Sequence, residues 1–566
     1  MKPLVVLLLC LVTWSHHGTL GMDVFHMSQE VEKEFYKDQT TDLAAVTFSL
    51  AKHFQSHMVL QQAPQRANVY GFSPSIGQKV TLQLTTTPPT QTYNYETTVR
   101  QGPEPGLGQW NVLLDPFGPT TVATIRVTSE GVSLTIDDVL FGDVWICSGQ
   151  SNMQMTVISI DVATEEMADA HNYPNIRLMT VNMDEAATPQ YDLIKVEQSW
   201  IKADSSSIGH DAWTYFSAVC WLYGKAIFKA KNYPIGLVAT DWGGTPVQAW
   251  SSPEALASCG IHDNPSIVQP DSYIKYLEQQ PPEVRRRLEA PSEKSVLWNS
   301  MIHPLLGMTI YGAIWYQGES DAGPPAVNRY NCTFPAMIKD WRANFNRASN
   351  GQTSANFPFG FVQLAPNSPS PGPTSGFTDI RWHQTADRGY VPNPDLNNVF
   401  MAVAMDLPDF DSPSGAIHPR YKKDIGDRLA ISGLAVAYNQ GGLFQGPLPS
   451  GSSLTPAGLV IDYGTTWTLE IRVNSGFEVQ CSHARWVATS ITAHTQTTVT
   501  VNSANVCNTG EKITGIRYAW SESPCALHKC AVYETSKGLP APPFVSYADY
   551  DQVGNPYFTF DRPQHI

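Results

Sequence analysis

The chain has 566 residues, 42% of them hydrophobic, which is enough for a sizeable core and too long for one ordinary domain. Its 51 acidic against 36 basic side chains give a formal net charge of −15 with no basic run to offset it, which argues against nucleic acid or an anionic membrane as partner. A charged fraction of 15% together with 42 prolines and 40 glycines points to many turns and short strands rather than long surface helices.

At the N-terminus, Lys2 precedes the apolar run Leu4 to Val12 and then small or polar residues through Gly21. That run is too short to span a bilayer and reads as a signal peptide over 1–21, which predicts release into the secretory pathway, lysosomal or secreted. No later stretch is long and apolar enough for a membrane span, and Asn331-Cys332-Thr333 is the one strict glycosylation sequon, in a segment that reads as loop. Cys10 leaves with the signal peptide. The remaining eight cysteines form an even set in an oxidising compartment, so disulfides are expected; Cys525 and Cys530 could clip a hairpin, and Cys147 is taken as a free buried thiol. No His-Glu-x-x-His, Walker or dinucleotide motif occurs, so no cofactor or metal is expected.

Residues 22–46 carry mixed charge and read as a variable leader. From 47 to 138, stretches such as Val69 to Phe72, Lys79 to Leu84 and Thr124 to Val127 alternate polar and apolar residues between turn clusters, which predicts a β module. From 139 to 439 the texture changes. Apolar runs at 139–147, 235–240, 312–316, 360–364 and 400–405 are spaced by segments that include predicted helices over 215–229 and 422–438, as in a parallel sheet covered on both faces. From 440 onward alternation returns, at 467–473 and 497–501, for a second β module.

Each central strand ends in a polar, glycine-bearing tail, where open α/β sheets carry their chemistry. Ser151, in Gly149-Gln150-Ser151-Asn152-Met153, follows the first apolar run and is either a nucleophile on a strand-to-helix turn or a helix cap. Gly243 and Gly244, after Asp241-Trp242, offer backbone N–H groups to an oxyanion. Gln317, in Tyr316-Gln317-Gly318-Glu319-Ser320, offers a side-chain amide, and Glu319 either orients neighbours or is a solvated turn residue. His418, in a loop after the last apolar strand, is the best-placed base among 15 histidines.

The runs Gly142 to Met153, Trp242 to Trp250, Ile314 to Ser320 and Ile417 to Arg420, in that order, resemble the sialate O-acetylesterase family of SGNH-type carbohydrate esterases. The resemblance extends from about Phe48 nearly to the C-terminus. It implies a three-layer α/β/α hydrolase domain with a mostly parallel sheet, flanked by β-sandwich-like modules, that removes acetyl groups from sialic acid hydroxyls, notably at O9, in free or conjugated form. Carried over, Ser151 is the nucleophile, His418 the base, and the Ser151 amide, a Gly243 or Gly244 amide and Gln317 the oxyanion donors. One departure from the superfamily stands out. Gly415 occupies the place of the aspartate three residues before the histidine, so either Asp406, Asp409 or Asp411 orients His418, or a backbone carbonyl does in a Ser–His dyad. A sialic acid carboxylate calls for an arginine, for which Arg420 and Arg381 are candidates, with Glu319 a further substrate contact. Trp242, Trp250 and Trp315 are either a sugar platform or core. Two rival readings are an esterase of similar fold acting on another acetylated glycan such as acetylxylan, and an inactive sugar-binding relative.

Overall fold

The computed structural model describes residues 47–561 except 105, 370 and 553; within 263–289 it describes only Lys275 and Gln279. The predicted signal peptide (1–21) and leader (22–46) lie outside the described residues. The fold is organised around one long strand, β1 (Val132–Gly149), whose second half is buried throughout. Its early part pairs antiparallel with Val122–Ser129, and Val59–Gln61 joins it in parallel at Leu140 to Gly142. From Asp143 on, it becomes the middle strand of a parallel sheet. The predicted boundary at 138/139 therefore falls inside a strand, and the N-terminal β module and the central sheet share β1.

The other central strands are β2 (Ile176–Val181), β3 (Val196–Lys202), β4 (Ile235–Asp241), β5 (Gly312–Tyr316), β6 (Phe359–Gln363) and β7 (Val399–Val403). They lie in the order β3-β2-β4-β1-β5-β6-β7, all parallel except the edge strand β3. Helices cover both faces, so the interior strands are apolar on both sides instead of alternating. The helices that matter here are α1 (Ser151–Gln154), α2 (Ala218–Lys231), α3 (Tyr330–Ala348) and α4 (Lys422–Val436). On one face, α2 and α4 pack against each other and the sheet, Tyr223 meeting the rings of Trp145 and Phe400. On the other, Phe334 and Trp341 of α3 meet Trp315 and Phe359. This is the three-layer α/β/α arrangement expected.

Asp143, buried at the entry to the parallel part of β1, gathers these pieces. Its carboxylate accepts from Gln61 and Gln62 of the N-terminal module, from Tyr233 ahead of β4, and from Tyr438 just beyond α4. Four donors satisfy a buried carboxylate that would otherwise be strongly destabilising.

The eight cysteines form four disulfides: Cys147–Cys220, Cys259–Cys332, Cys481–Cys507 and Cys525–Cys530. Cys147 is thus not a free thiol. It points to the face covered by α2, where Cys220 lies on the helix's first turn, and the bond staples helix to sheet. The half-cystines are 73 residues apart. Replacing both by alanine should lower the free energy of unfolding by about 4 kcal/mol through loop-closure entropy, read as a drop in the denaturant midpoint.

Beyond 440 the chain is β-rich. One antiparallel sheet joins Gly451–Thr455, Gly458–Asp462, Thr498–Val501 and Ile491–His494; a second, five-stranded one runs from Arg485–Thr489 to Pro556–Phe558. The strand expected at 467–473 is shorter, Leu469–Ile471, and pairs with Val532–Glu534.

Candidate active site

The chain runs from β1 out to β2 and β3, returns to β4 on one side of β1, and crosses to β5 on the other. β1 is therefore a topological switch point, and the crevice beyond its carboxyl end is where an open α/β sheet binds ligands. The three strands end in step: Gly149 pairs with Asp241 of β4 and with Tyr316 of β5. The tails carrying Ser151, Gly243–Gly244 and Gln317–Glu319 consequently emerge side by side. Gly149 has φ +144°, and a Cβ there would lie 2.2 Å from the Tyr316 carbonyl oxygen, so only glycine allows this close turn. Gln150 then ties the tails together. Its backbone N–H donates to Tyr316 O at 3.0 Å, and its side-chain oxygen accepts from the Gly318 and Ser320 amides.

Ser151 is the first residue of α1, and the N-cap position belongs to Gln150, whose side chain makes no cap bond. The cap alternative for Ser151 is thereby removed. Its hydroxyl is fully buried and has no hydrogen-bond partner among the described residues. A buried hydroxyl left unsatisfied in a native fold calls for a functional account. The Ser151 amide, as the first N–H of a helix, has no carbonyl four residues back to bond.

His418 is buried as well. Its Nδ1 lies 2.6 Å from the Ser414 carbonyl oxygen, and a carbonyl can only accept, so Nδ1 carries the hydrogen and Nε2 presents its lone pair. Burial holds the imidazole pKa down at about 3, with the Ser414 carbonyl pulling it up and the Lys422 charge pushing it further down. The ring packs edge-on against Trp213, at 5.1 Å between centroids. Asn152, next to Ser151, donates to the carbonyl of Ile417, next to His418, at 2.8 Å, which brings the two loops together.

His418 Nδ1 thus meets a backbone carbonyl, and two of the three candidate aspartates are engaged elsewhere. Asp406 is bound by both guanidinium nitrogens of Arg428 at 2.6 and 2.9 Å and by the Tyr533 hydroxyl. Asp409 accepts from Arg420 Nε, Nη2 and backbone N at 2.7, 2.8 and 3.0 Å. Asp411 is exposed. Gly415 has φ +84°, a left-handed turn that an aspartate side chain would disfavour.

Several other expectations are corrected. The Gly243 amide donates to Gln154 Oε1 at 2.7 Å, and Gly244 follows in a left-handed turn at φ +74°. The Gln317 amide donates to Thr245 O and to Asp321 Oδ2, while its oxygen accepts from the Tyr330 hydroxyl; the side chain braces its own turn and has no hydrogen left for an oxyanion. Arg381 is not a substrate contact. It is wholly buried, donates to the carbonyls of Leu364, Ser521 and Glu522, and joins the catalytic layer to the C-terminal region. Arg420 is committed to Asp409. Glu319 is buried and accepts from Asn152 at 2.6 Å instead of meeting solvent or sugar. Trp250 and Trp315 are core, whereas Trp242 is half-buried. Asn331 is exposed, and it sits in the first turn of α3, not in a loop.

Asn152, Ser414 and Lys422 are the residues that sequence reasoning missed. Asn152 stands in the Ser151 motif and could have been found there. A backbone acceptor and a lysine buried by tertiary packing leave no local signal.

The three-layer sheet, with its polar strand tails gathered beyond the end of β1, has an SGNH-like fold. Residues 141–431 match the family described as "Carbohydrate esterase, sialic acid-specific acetylesterase", and residues 452–548 match "Sialate O-acetylesterase C-terminal domain". The chain is 41% identical over 526 residues to the sialate O-acetylesterase of Homo sapiens, covering 89% of this chain and 93% of that one, and 40% identical over 529 residues to that of Mus musculus, covering 89% and 95%. A solved carbohydrate acetylesterase from Xanthomonas citri superposes with a TM-score of 0.69 at 25% identity, covering 88% of this chain and 99% of that one. The chain belongs to the sialate O-acetylesterase family and is an esterase.

Proposed function

We propose that the chain hydrolyses O-acetyl esters of sialic acids, notably at O9, to free sialic acid and acetate through an acetyl-Ser151 intermediate. The observation that carries this reading is the buried, unpartnered Ser151 hydroxyl at the sheet's switch point, on the same loop contact as a histidine held as a neutral base. Ser151 Oγ attacks the acetyl carbonyl carbon as His418 Nε2 takes its proton. The oxyanion faces the Ser151 amide at the start of α1. Collapse breaks the ester C–O bond, and His418 returns the proton to the departing sugar oxygen. Water, deprotonated by His418, then attacks acetyl-Ser151 and releases acetate. The Ser414 carbonyl does the orienting that a carboxylate does in a triad.

The four disulfides support an oxidising secretory compartment, either the lysosome or the exterior, and the exposed Asn331 supports glycosylation there. A base that stays neutral in acid suits the lysosomal lumen. Acetate release from 9-O-acetylated sialic acid, run beside acetylated xylan and a simple aryl acetate, tests the reading. The expected result is preference for the sialic acid ester. Preference for xylan would move the chain to the rival substrate, and no turnover of any of the three would leave a binding protein.

A further inference from the structure

Beside the proposed nucleophile and base lies a group of buried polar side chains that the mechanism does not use. Asn152, Glu319 and Lys422 are each buried and come from three separate elements: the α1 turn, the tail of β5 and the start of α4. Asn152 Nδ2 donates to Glu319 Oε1 at 2.6 Å and to Ile417 O at 2.8 Å, and its Oδ1 accepts from Lys422 Nζ at 2.6 Å. Lys422 Nζ also donates to Pro419 O at 2.7 Å and lies 5.4 Å from the centre of the Tyr316 ring. The amide of Asn152 can make four hydrogen bonds, and three are made here.

The two backbone carbonyls so engaged, Ile417 and Pro419, are those on either side of His418. The carbonyl of His418 itself accepts from Ser412 Oγ at 2.7 Å. The base loop is therefore held at three consecutive carbonyls, one of them by a side chain of the nucleophile's own turn and one by Lys422, which bonds that side chain. We propose that Asn152, Glu319 and Lys422 are positioning residues, a buried hydrogen-bonded bridge, with Asn152 between two oppositely charged groups, that fixes the Ser151 turn against the His418 loop. The inference rests on the reading of Ser151 and His418 as nucleophile and base. Nothing about folding alone calls for this arrangement. An ion pair in an apolar interior is often no more stabilising than hydrophobic residues of equal volume, while removing one partner leaves an uncompensated charge. The bridge exchanges stability for geometry at the one place where about an ångström decides the rate.

Four variants and one chemical probe test this. Asn152→Ala should lower kcat about 100-fold with KM within about twofold, and should slow phosphonylation of Ser151 by an alkyl fluorophosphonate by the same factor as kcat. Glu319→Gln and Lys422→Met should each lower kcat, and the double variant should be faster than the slower single one, because it leaves no unpaired charge. A kcat for Asn152→Ala near the wild-type value, or singles whose effects simply multiply in the double variant, would overturn the bridge. If Asn152→Ala does not fold, the comparison of the double with the singles decides. Failure of the nucleophile assignment is separate: it shows as a wild-type protein that the fluorophosphonate does not label at Ser151.

Discussion

Ser151→Ala should lower acetate release by roughly 10⁵–10⁶-fold and leave the fold and substrate affinity in place. The size of the effect follows from what the hydroxyl does in the structure. It bonds to no other side chain and caps no helix, so its loss removes a nucleophile and no structural contact. A methyl group in its place fits a site that is already enclosed. Thermal unfolding should therefore shift little, and equilibrium binding of the acetylated sugar should persist. Substantial esterase activity in this variant would remove Ser151 from the mechanism.

His418→Ala should lower kcat by about 10⁴-fold, and the wild-type pH profile should carry the signature of the buried ring. Burial depresses the imidazole pKa from 6.5 to about 3, so the base form persists in acid. The His418 limb of kcat/KM should be absent near pH 6.5 and appear only toward about pH 3, whereas Glu319 and Lys422, both shifted by burial to about 7, can impose a limb near neutrality. The linkage has a definite sign. Below pH 6.5 the unfolded chain takes up a proton that the folded chain refuses until about pH 3, so this group destabilises the native state as pH falls through that window and has no effect above it. A limb of kcat/KM near 6.5 that persists in both Glu319→Gln and Lys422→Met would mean that His418 is not the base.

The difference between what was legible in the sequence and what was not has physical causes. Five strands of the central sheet stand out as apolar runs because both their faces are covered. β2 does not, since Arg177 interrupts it; that arginine is buried only because Asp138, 39 residues earlier, neutralises it at 2.9 Å. β3 is an edge strand with partly exposed residues and reads as loop. In the site, Ser151 and His418 are visible as residue types on strand tails. Whether an amide is available is not. Gly243 and Gln317 have the right chemistry, and their hydrogens are taken by Gln154 and Asp321, neighbours whose orientation exists only once the turns are built. The Ser414 carbonyl is invisible for a simpler reason: every residue has one.

β1 also bears on how this enzyme can be taken apart. A strand that begins as a rung of the N-terminal module and ends two residues before Ser151 gives the central sheet no start point of its own. Cutting the chain at 138/139 would strip Val59–Gln61 and Val122–Ser129 from its side, along with two of the four donors to Asp143. The smallest active fragment must therefore begin upstream of residue 59, and the N-terminal module is an inseparable part of the enzyme rather than an accessory that selection or engineering could exchange.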